Sequence, residues 1–232
     1  MQNLNKMIKI KGDNYDFSSI AELLLNNSIL KVKNESFYIT EIEFYYSAKN
    51  HNDCAIHGNE NQLESNTWYV HTKGRGGIDI TFGNKNKKEF GGILIRGIQS
   101  ISKSTYIDGP TNTLKYILKI LNTDRNNLRA QLSNIDMSVL QIVQSETKDN
   151  FLFQGPRIGL VQAHNEYLVS PYRYITDVSV NHKFVEKSNV YCYSLKINKN
   201  NKFSSKLDID KYKQSLNKQI FRNKAIINFL DI

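Results

Sequence analysis

Two carboxylic acids and a phenol alternate along one short segment of the chain. Glu41, Glu43 and Tyr45 are separated by the apolar residues Ile42 and Phe44. Alternate residues of a β-strand share a face, so a strand here would point both carboxyl groups and the phenol the same way. The carboxylate-bearing positions would be about 6.6 Å apart, within reach of the spacing in hydrolases that activate a water between two acids. The alternative is a solvated strand face with scattered glutamates, which is common in antiparallel sheets.

Histidines near this segment resemble part of a metal-binding set. His51, Asp53 and His57 lie close together in the sequence. No further pair of ligands at suitable spacing completes a zinc pattern. We therefore predict neither a metal nor another cofactor.

A glycine-rich turn carries two cations, Lys73 and Arg75, within the sequence Lys-Gly-Arg-Gly-Gly at residues 73–77. It lacks the spacer and the Gly-Lys-Ser/Thr ending of a P-loop. It also joins two predicted strands instead of opening a helix, which excludes a dinucleotide fingerprint. A cationic hairpin turn suits the entry into, or clamping of, a nucleic-acid groove. A flexible tip with incidental charge is the alternative.

The elements that would position these residues are mostly strands in the first half of the chain. Segments rich in β-branched and aromatic residues, bounded by turn residues, predict strands. They are residues 28–33, 35–46, 67–72, 78–82 and 91–98. The last is apolar nearly throughout, so we expect it in the centre of its sheet. Residues 47–66 are predicted to form a polar loop.

Helical spacing predicts the remaining elements. Ser19 and Glu22 match a capping box for a short helix that ends at Asn26. A change of period after residue 109 predicts a helix, and residues 128–143 suggest one or two more. The sheet resumes at residues 156–160 and 172–175. Because strands flank the helical part on both sides, we expect a single mixed domain.

Composition limits the class of protein. The chain has 232 residues, of which 40% are hydrophobic, and these values indicate a folded chain of one domain or of one domain with an extension. The absence of a long apolar run or a signal-like N-terminus predicts no membrane association or secretion. Two cysteines, Cys54 and Cys192, favour a reducing compartment, and we expect the cytoplasm. The net charge of +9 favours a polyanionic partner, although charge that serves only solubility is the alternative.

The last fifty residues differ from the rest. Between Lys196 and Lys224 there are nine basic and two acidic residues, on a pattern that keeps an apolar helical stripe. This predicts a basic amphipathic helix that docks on the domain.

Several segments, in chain order, resemble the motifs of the alkyladenine (3-methyladenine) DNA glycosylase family. The resemblance covers roughly residues 14–180. The segments are Glu41-Ile42-Glu43-Phe44-Tyr45, Asp53-Cys54-Ala55-Ile56-His57, Trp68-Tyr69-Val70-His71, Gly92-Ile93-Leu94-Ile95-Arg96, Gly109-Pro110, Pro156-Arg157-Ile158-Gly159 and Pro171-Tyr172-Arg173-Tyr174.

The resemblance implies a monofunctional purine DNA N-glycosylase, which flips a damaged purine out of DNA and hydrolyses its N-glycosidic bond without a metal. It implies that Glu43 is the general base that activates water and that Arg96 helps to hold this water. Tyr45 and His57 would stack on one face of the base, and His71 would take the place of a tyrosine on the other face. Glu41 would be a neighbour of the base and not the catalyst.

The same resemblance assigns Tyr69 and Asp79 to base binding, with Asp79 in the place of a polar gate residue. Lys73 and Arg75 would bind DNA, and Arg75 stands near the place where the family inserts a tyrosine into the duplex. Two other functions stay open: a nucleic-acid-binding module that does not excise, and a glycosidase of unpaired or modified nucleosides. A buried carboxylate near anionic DNA has no use in a mere binding protein, which favours the enzyme.

The expected fold class is α+β, with a single mixed domain built on a curved, mainly antiparallel β-sheet or partial barrel with flanking helices. We assign residues 1–182 to the glycosylase-like domain and residues 183–232 to the basic C-terminal extension packed on it. The expected partner is DNA, with no membrane and no required protein partner, and the expected state is a monomer.

Overall fold

The structure of the protein is a computed structural model. It describes residues 16–71, 76–133, 139–160, 167, 170–176, 181–186 and 190. The helices are α1 (Phe17–Asn26), α2 (Pro110–Leu121) and α3 (Arg125–Ser133), with a 3-10 helix at Glu60–Leu63. The strands are β1 (Ser28–Val32), β2 (Glu35–Ala48), β3 (His51–Asn52), β4 (Ser65–Val70), β5 (Ile78–Phe82), β6 (Phe90–Ser100), β7 (Tyr106–Asp108), β8 (Leu140–Gln144), β9 (Phe153–Gly155) and β10 (Arg173–Ile175).

All of these strands belong to one antiparallel sheet that curls into a half-barrel. Its main order is β4-β5-β6-β2-β1-β8, and β10 joins β2 on one side and β9 on the other. The short strands β3 and β7 pair with β2 and β6. The α+β fold with a curved antiparallel sheet is therefore confirmed.

The central strands β2 and β6 separate the core from the candidate site. Phe44 on β2 stacks on Phe17 of α1, with ring centroids 4.5 Å apart, so this face of the strand is covered by the first helix. Glu41, Glu43 and Tyr45 lie on the other face, as strand alternation requires. The prediction that residues 91–98 form a central strand is confirmed, since β6 pairs with β5 and β2.

A β-bulge interrupts the pairing of β2 and β6 beside the acidic residues. The register shifts on both sides of Glu41, so that Ile39 pairs with Ile98 and Glu41 pairs with Gly97. A Cβ atom at Gly97 would lie 2.8 Å from Oγ1 of Thr40 and 3.2 Å from Cβ of Glu41. Glycine at this position therefore allows the bulge to form, and bulges commonly re-aim side chains next to active sites.

The predicted elements differ from the structure in several places. The first helix is present, but Asp16 caps it in place of Ser19, because its carboxylate accepts hydrogen bonds from the N–H groups of Ser18 and Ser19. Leu140 and Val143 lie on strand β8, because this short apolar run pairs along β1. Apolar spacing in so short a run does not distinguish helix from strand.

The third difference is the segment 156–160, which forms no strand. The strand here is β9, which ends at Gly155, and the following residues turn towards the acidic face of β2. Residues 47–66, predicted as a loop, include the short strand β3 and the 3-10 helix. The predicted basic helix at residues 196–224 lies outside the described residues, as does almost all of the assigned C-terminal extension.

Candidate active site

A cavity of about 740 Å³ opens on the face of the sheet that carries Glu41 and Tyr45. The first turn of α2, residues 158–160 and residues of the 181–186 segment complete its walls. Five of the predicted site residues line it: Tyr45, His57, His71, Asp79 and Arg96. The sheet therefore brings residues that are distant in the sequence to one cavity.

Glu43 lies directly behind this wall. Its side chain is fully buried, and its Oε2 atom accepts hydrogen bonds from the Tyr45 hydroxyl at 2.7 Å and from Nη1 of Arg96 at 3.3 Å. Its Oε1 atom accepts a third from the backbone N–H of Ile158 at 2.8 Å. Because Tyr45, Arg96 and Ile158 all line the cavity, the carboxylate is one hydrogen bond away from it. Charge-assisted bonds of this kind hold the group in one orientation.

Glu41 has a different environment from Glu43. Its Oε1 atom accepts hydrogen bonds from Nε of Arg96 and from Nε of Arg173, each at 2.7 Å. Burial raises the pKa of Glu41, but the charges of Arg173 and Arg96 outweigh it, so the pKa lies below its ordinary value. Glu41 is therefore an ionised partner of two arginines and is suited to hold Arg96 in place.

Neighbouring carboxylates shift the pKa values of Tyr45 and Arg96. Burial, together with the negative charge of Glu43, raises the pKa of Tyr45 well above its ordinary value, so the phenol remains a proton donor. Burial disfavours the charged form of Arg96, but Glu43 and Glu41 reverse this effect and raise its pKa. Arg96 therefore stays cationic and forms ion pairs with both Glu41 and Glu43, which lie on the same face of β2.

Two imidazole rings form another part of the wall, with a phenol ring behind them. The rings of His57 and His71 meet edge to face with centroids 4.6 Å apart, and Tyr69 stacks on His71 at 5.0 Å. Contact at this distance leaves no room for a flat ring between the two imidazoles. A base bound here would therefore lie beside the histidine pair. Tyr69 is 2% exposed and supports these rings from behind, instead of bordering the cavity.

A buried set of hydrogen-bonded polar side chains forms part of this wall. Nε2 of His71 lies 2.6 Å from Oδ1 of Asp79, and the amide of Gln62 donates to Oδ2 of Asp79 at 3.3 Å. Asp79 is 1% exposed to solvent and lies on β5, opposite Tyr69 of β4. The structure therefore places two of the predicted base-binding residues, His71 and Asp79, together in one hydrogen-bonded group.

Lys73 and Arg75, the predicted DNA-binding residues, lie outside the described residues. The strands on either side of them are described, and His71 donates its backbone N–H to the carbonyl of Gly77 at 3.0 Å. The predicted antiparallel pair formed by β4 and β5 is thus confirmed.

The chain is similar in sequence to a viral protein. No family model matches the sequence. The chain is 30% identical over 184 residues to the uncharacterized protein L759 of Acanthamoeba polyphaga mimivirus, and the alignment spans 68% of this chain and 85% of the viral protein. The chain belongs to the same family as this mimivirus protein. The name of the relative states no activity, so the chemistry of the site has to be argued from its residues.

The most important site residue without a predicted role is Arg157. Its guanidinium makes two hydrogen bonds to Asp53, at 2.5 and 3.0 Å, and it also donates to the carbonyl oxygen of Phe44 at 3.1 Å. It lies over the ring of Tyr45, 4.6 Å from the centroid. Arg157 thus ties the loop that carries His57 to the strand that carries the acids. The buried Asp53 therefore forms an ion pair in the structure.

Two further positions had only weak signals in the sequence. Arg173 stood in a quoted motif without a role, yet it is fully buried and shares Glu41 with Arg96. Gln62 follows Asn59 at capping-box spacing, and the structure has that box in the 3-10 helix. Such a pattern predicts a helix start and gives no indication that the same amide also reaches Asp79.

No group of three His, Cys, Asp or Glu side chains in the described part of the chain is arranged to hold a metal ion. Among the same residues, no helix is both long and apolar enough to cross a membrane.

Proposed function

We propose that the protein is a monofunctional purine DNA N-glycosylase, which takes a damaged purine, alkylated or deaminated, into the cavity and hydrolyses its N-glycosidic bond. One observation carries the proposal. A buried carboxylate, Glu43, is fixed one hydrogen bond behind the wall of a cavity lined by the rings of Tyr45, His57 and His71. The ordered resemblance to the alkyladenine DNA glycosylases supports the same assignment.

The reaction needs a general base and a negative charge near the sugar. The oxygen of a water attacks C1′, the bond between C1′ and N9 breaks, and its electron pair leaves with the base. Glu43 accepts the proton of the attacking water and stabilises the positive charge that develops on the sugar. Arg96 and the Tyr45 hydroxyl hold the receiving Oε2 atom in place. An alkylated purine starts with a positive charge and departs as a neutral base.

The rings provide affinity for the flipped base. Stacking on Tyr45 and the adjoining imidazoles compensates for the loss of stacking in the duplex. A cationic, alkylated purine gains further attraction to the π face of Tyr45. The net charge of +9 supports DNA as the partner, with Lys73 and Arg75 as contacts. A monomer in the cytoplasm, where two cysteines would stay reduced, completes the proposal.

The decisive experiment compares Glu43→Gln with Glu41→Gln on oligonucleotides that carry 7-methylguanine, 3-methyladenine, ethenoadenine or hypoxanthine. We expect Glu43→Gln to lower the single-turnover rate of base release by about 10²–10⁴-fold, since it removes the base. Glu41→Gln is the matched control on the same strand face and should lose much less. Rates are compared at a temperature where both variants are folded. Equal losses, or no release by the wild type, would contradict the proposal.

A second candidate function is a nucleic-acid-binding module without excision activity. The full burial of Glu43 and the three hydrogen bonds to its oxygens favour it, because such a carboxylate is well satisfied as a structural group. In the same assay this protein would bind the lesion-containing DNA and release no base.

A further inference from the structure

The acids of the site differ in the partners that balance their charge. Among the described residues, Glu41 pairs with Arg96 and Arg173, and Glu43 pairs with Arg96. The described side-chain partners of the Asp79 carboxylate are the His71 imidazole and the Gln62 amide, with no arginine among them. Asp79 therefore presents a carboxylate in the base-binding wall whose acceptor character is only partly used by its neighbours.

The hydrogen bonds around Asp79 establish that both of its oxygens act as acceptors. The backbone N–H of Asn59 donates to Oε1 of Gln62 at 3.1 Å, which fixes the orientation of the Gln62 amide. The NH₂ group of Gln62 must then be the group that faces Oδ2 of Asp79. On the other side Nε2 of His71 lies 2.6 Å from Oδ1, and an ionised carboxylate can only accept a hydrogen bond there. A carboxylate with two donors still has about two free lone-pair positions.

The backbone leaves space for this arrangement at one glycine. A Cβ atom at Gly92 would lie 2.7 Å from Oδ2 of Asp79 and 2.9 Å from Nε2 of Gln62. Real Cβ atoms do not approach polar atoms so closely, so a side chain at Gly92 would displace the pair. The strand β6 thus accommodates the carboxylate and the amide that orients it.

A carboxylate, which can only accept hydrogen bonds, distinguishes purines by their polar edge. A guanine-type base has two neighbouring donors, N1–H and the 2-amino group, whereas a hypoxanthine-type base has only N1–H. An adenine-type base presents an acceptor at N1, which a carboxylate repels. Two parallel N–H groups match the two oxygens of a carboxylate, as in other bidentate pairs.

We propose that Asp79, oriented by Gln62 and His71, selects guanine-type bases through their N1–H and 2-amino groups. The inference rests on the proposed function, because it takes the cavity to be the site of a flipped purine. Alkylation makes the base a good leaving group, and hydrogen bonds to Asp79 distinguish a guanine-type base from an adenine-type base. The substrate class is therefore alkylated guanine, in preference to deaminated or alkylated adenine.

The test uses 2′-deoxyguanosine and 2′-deoxyinosine, which differ only in the 2-amino group. Their dissociation constants for the full-length protein are measured by isothermal titration calorimetry. We expect deoxyguanosine to bind at least about 10-fold more tightly, the size expected for a good bidentate pair. In Asp79→Asn the preference should disappear, because the amide offers one donor where the carboxylate offered only acceptors. Asp108→Asn, a change of the same kind in the same cavity, should keep it.

Equal binding of the two nucleosides by the wild type, tighter binding of deoxyinosine, or binding of neither would overturn the inference. Retention of the preference in Asp79→Asn would also overturn it. If that variant does not fold, the ratio of the two wild-type constants decides alone. Release of 7-methylguanine from DNA separates the two proposals: selective binding without any release contradicts only the glycosylase function, and release without selective binding contradicts only the role of Asp79.

Discussion

The hydroxyl of Tyr45 donates a hydrogen bond of 2.7 Å to Oε2 of Glu43, two residues earlier on the same strand. The phenol keeps its proton because burial and the charge of Glu43 raise its pKa. The same side chain lines the cavity with its ring. Tyr45 therefore links the surface that would contact a base to the carboxylate that would activate water.

Removal of this hydroxyl should affect catalysis and spare base binding. Tyr45→Phe keeps the ring and deletes one donor to a buried charge, which is worth about 1.5–3 kcal/mol. We expect the single-turnover rate of base release to fall about 10–100-fold, with the affinity for lesion-containing DNA unchanged. Tyr38→Phe, on the same strand and outside the cavity, is the control. A rate equal to the wild type in both variants would show that the hydroxyl does not act on Glu43.

Because Glu41 forms buried ion pairs with Arg96 and Arg173, the stability of the protein should depend on pH. The folded pKa of Glu41 is lowered from its ordinary value of 4.5, so its contribution to stability is fully present above that value. The contribution is lost as the pH falls towards the folded pKa. Breaking such a buried pair costs about 3–5 kcal/mol at neutral pH.

Urea unfolding of the wild type and Glu41→Gln from about pH 7 to about pH 3 tests this. We expect the difference in the free energy of unfolding to be largest at neutral pH and to shrink at acid pH. A constant difference over the whole range would mean that Glu41 is not ionised in the folded protein.

The guanidinium of Arg157 should be irreplaceable by an ammonium group. Lysine carries the same charge but cannot make the paired bonds to Asp53 together with the bond to Phe44. We expect Arg157→Lys to lower the free energy of unfolding by about 2–4 kcal/mol and to slow base release, since the next residue, Ile158, donates to Glu43. Lys115→Arg, the reverse exchange at an exposed position of helix α2, should change stability by less than about 0.5 kcal/mol. Stability and rate equal to the wild type would contradict the role of Arg157.

The segment between β4 and β5 should affect base excision mainly from duplex DNA. If Arg75 fills the gap left by a flipped base, Arg75→Ala should lower excision from duplex DNA much more than from single strands, because only a duplex has a partner strand that reclaims the base. The measurement is the ratio of single-turnover rates on the two substrates, with Lys73→Ala for comparison. An unchanged ratio in both variants would favour an enzyme of unpaired or otherwise accessible nucleosides.

Local patterns in the sequence were sufficient to predict much of the sheet. The β1–β2 and β4–β5 hairpins and the central β6 follow from alternation, turn residues and an apolar run, and all three are confirmed. The strand β8 was missed because its identity depends on pairing with β1, which is more than a hundred residues away. Long-range pairing overrides a short apolar pattern.

The site was predictable in its residue types and less so in its connections. Alternation predicts that Glu41, Glu43 and Tyr45 share a face, but it cannot show that Glu41 is shared by two arginines while Glu43 accepts a backbone N–H. Those partners, Arg173 and Ile158, come from a segment whose path no local pattern specifies. The pair of His71 and Asp79 likewise follows from the register of β4 on β5, which only the structure gives.

The position of β10 has a consequence during protein synthesis. This strand of three residues pairs with β2 at Glu41 and Glu43. The acidic segment is synthesised early, whereas its partner strand is synthesised more than a hundred residues later. At about 5–20 residues per second, a nascent chain spends several seconds in which Glu41 lacks Arg173 and Glu43 lacks the backbone N–H of Ile158. The ribosome-bound chain therefore cannot hold the two carboxylates in the arrangement of the folded protein until the strand near residue 175 has left the exit tunnel.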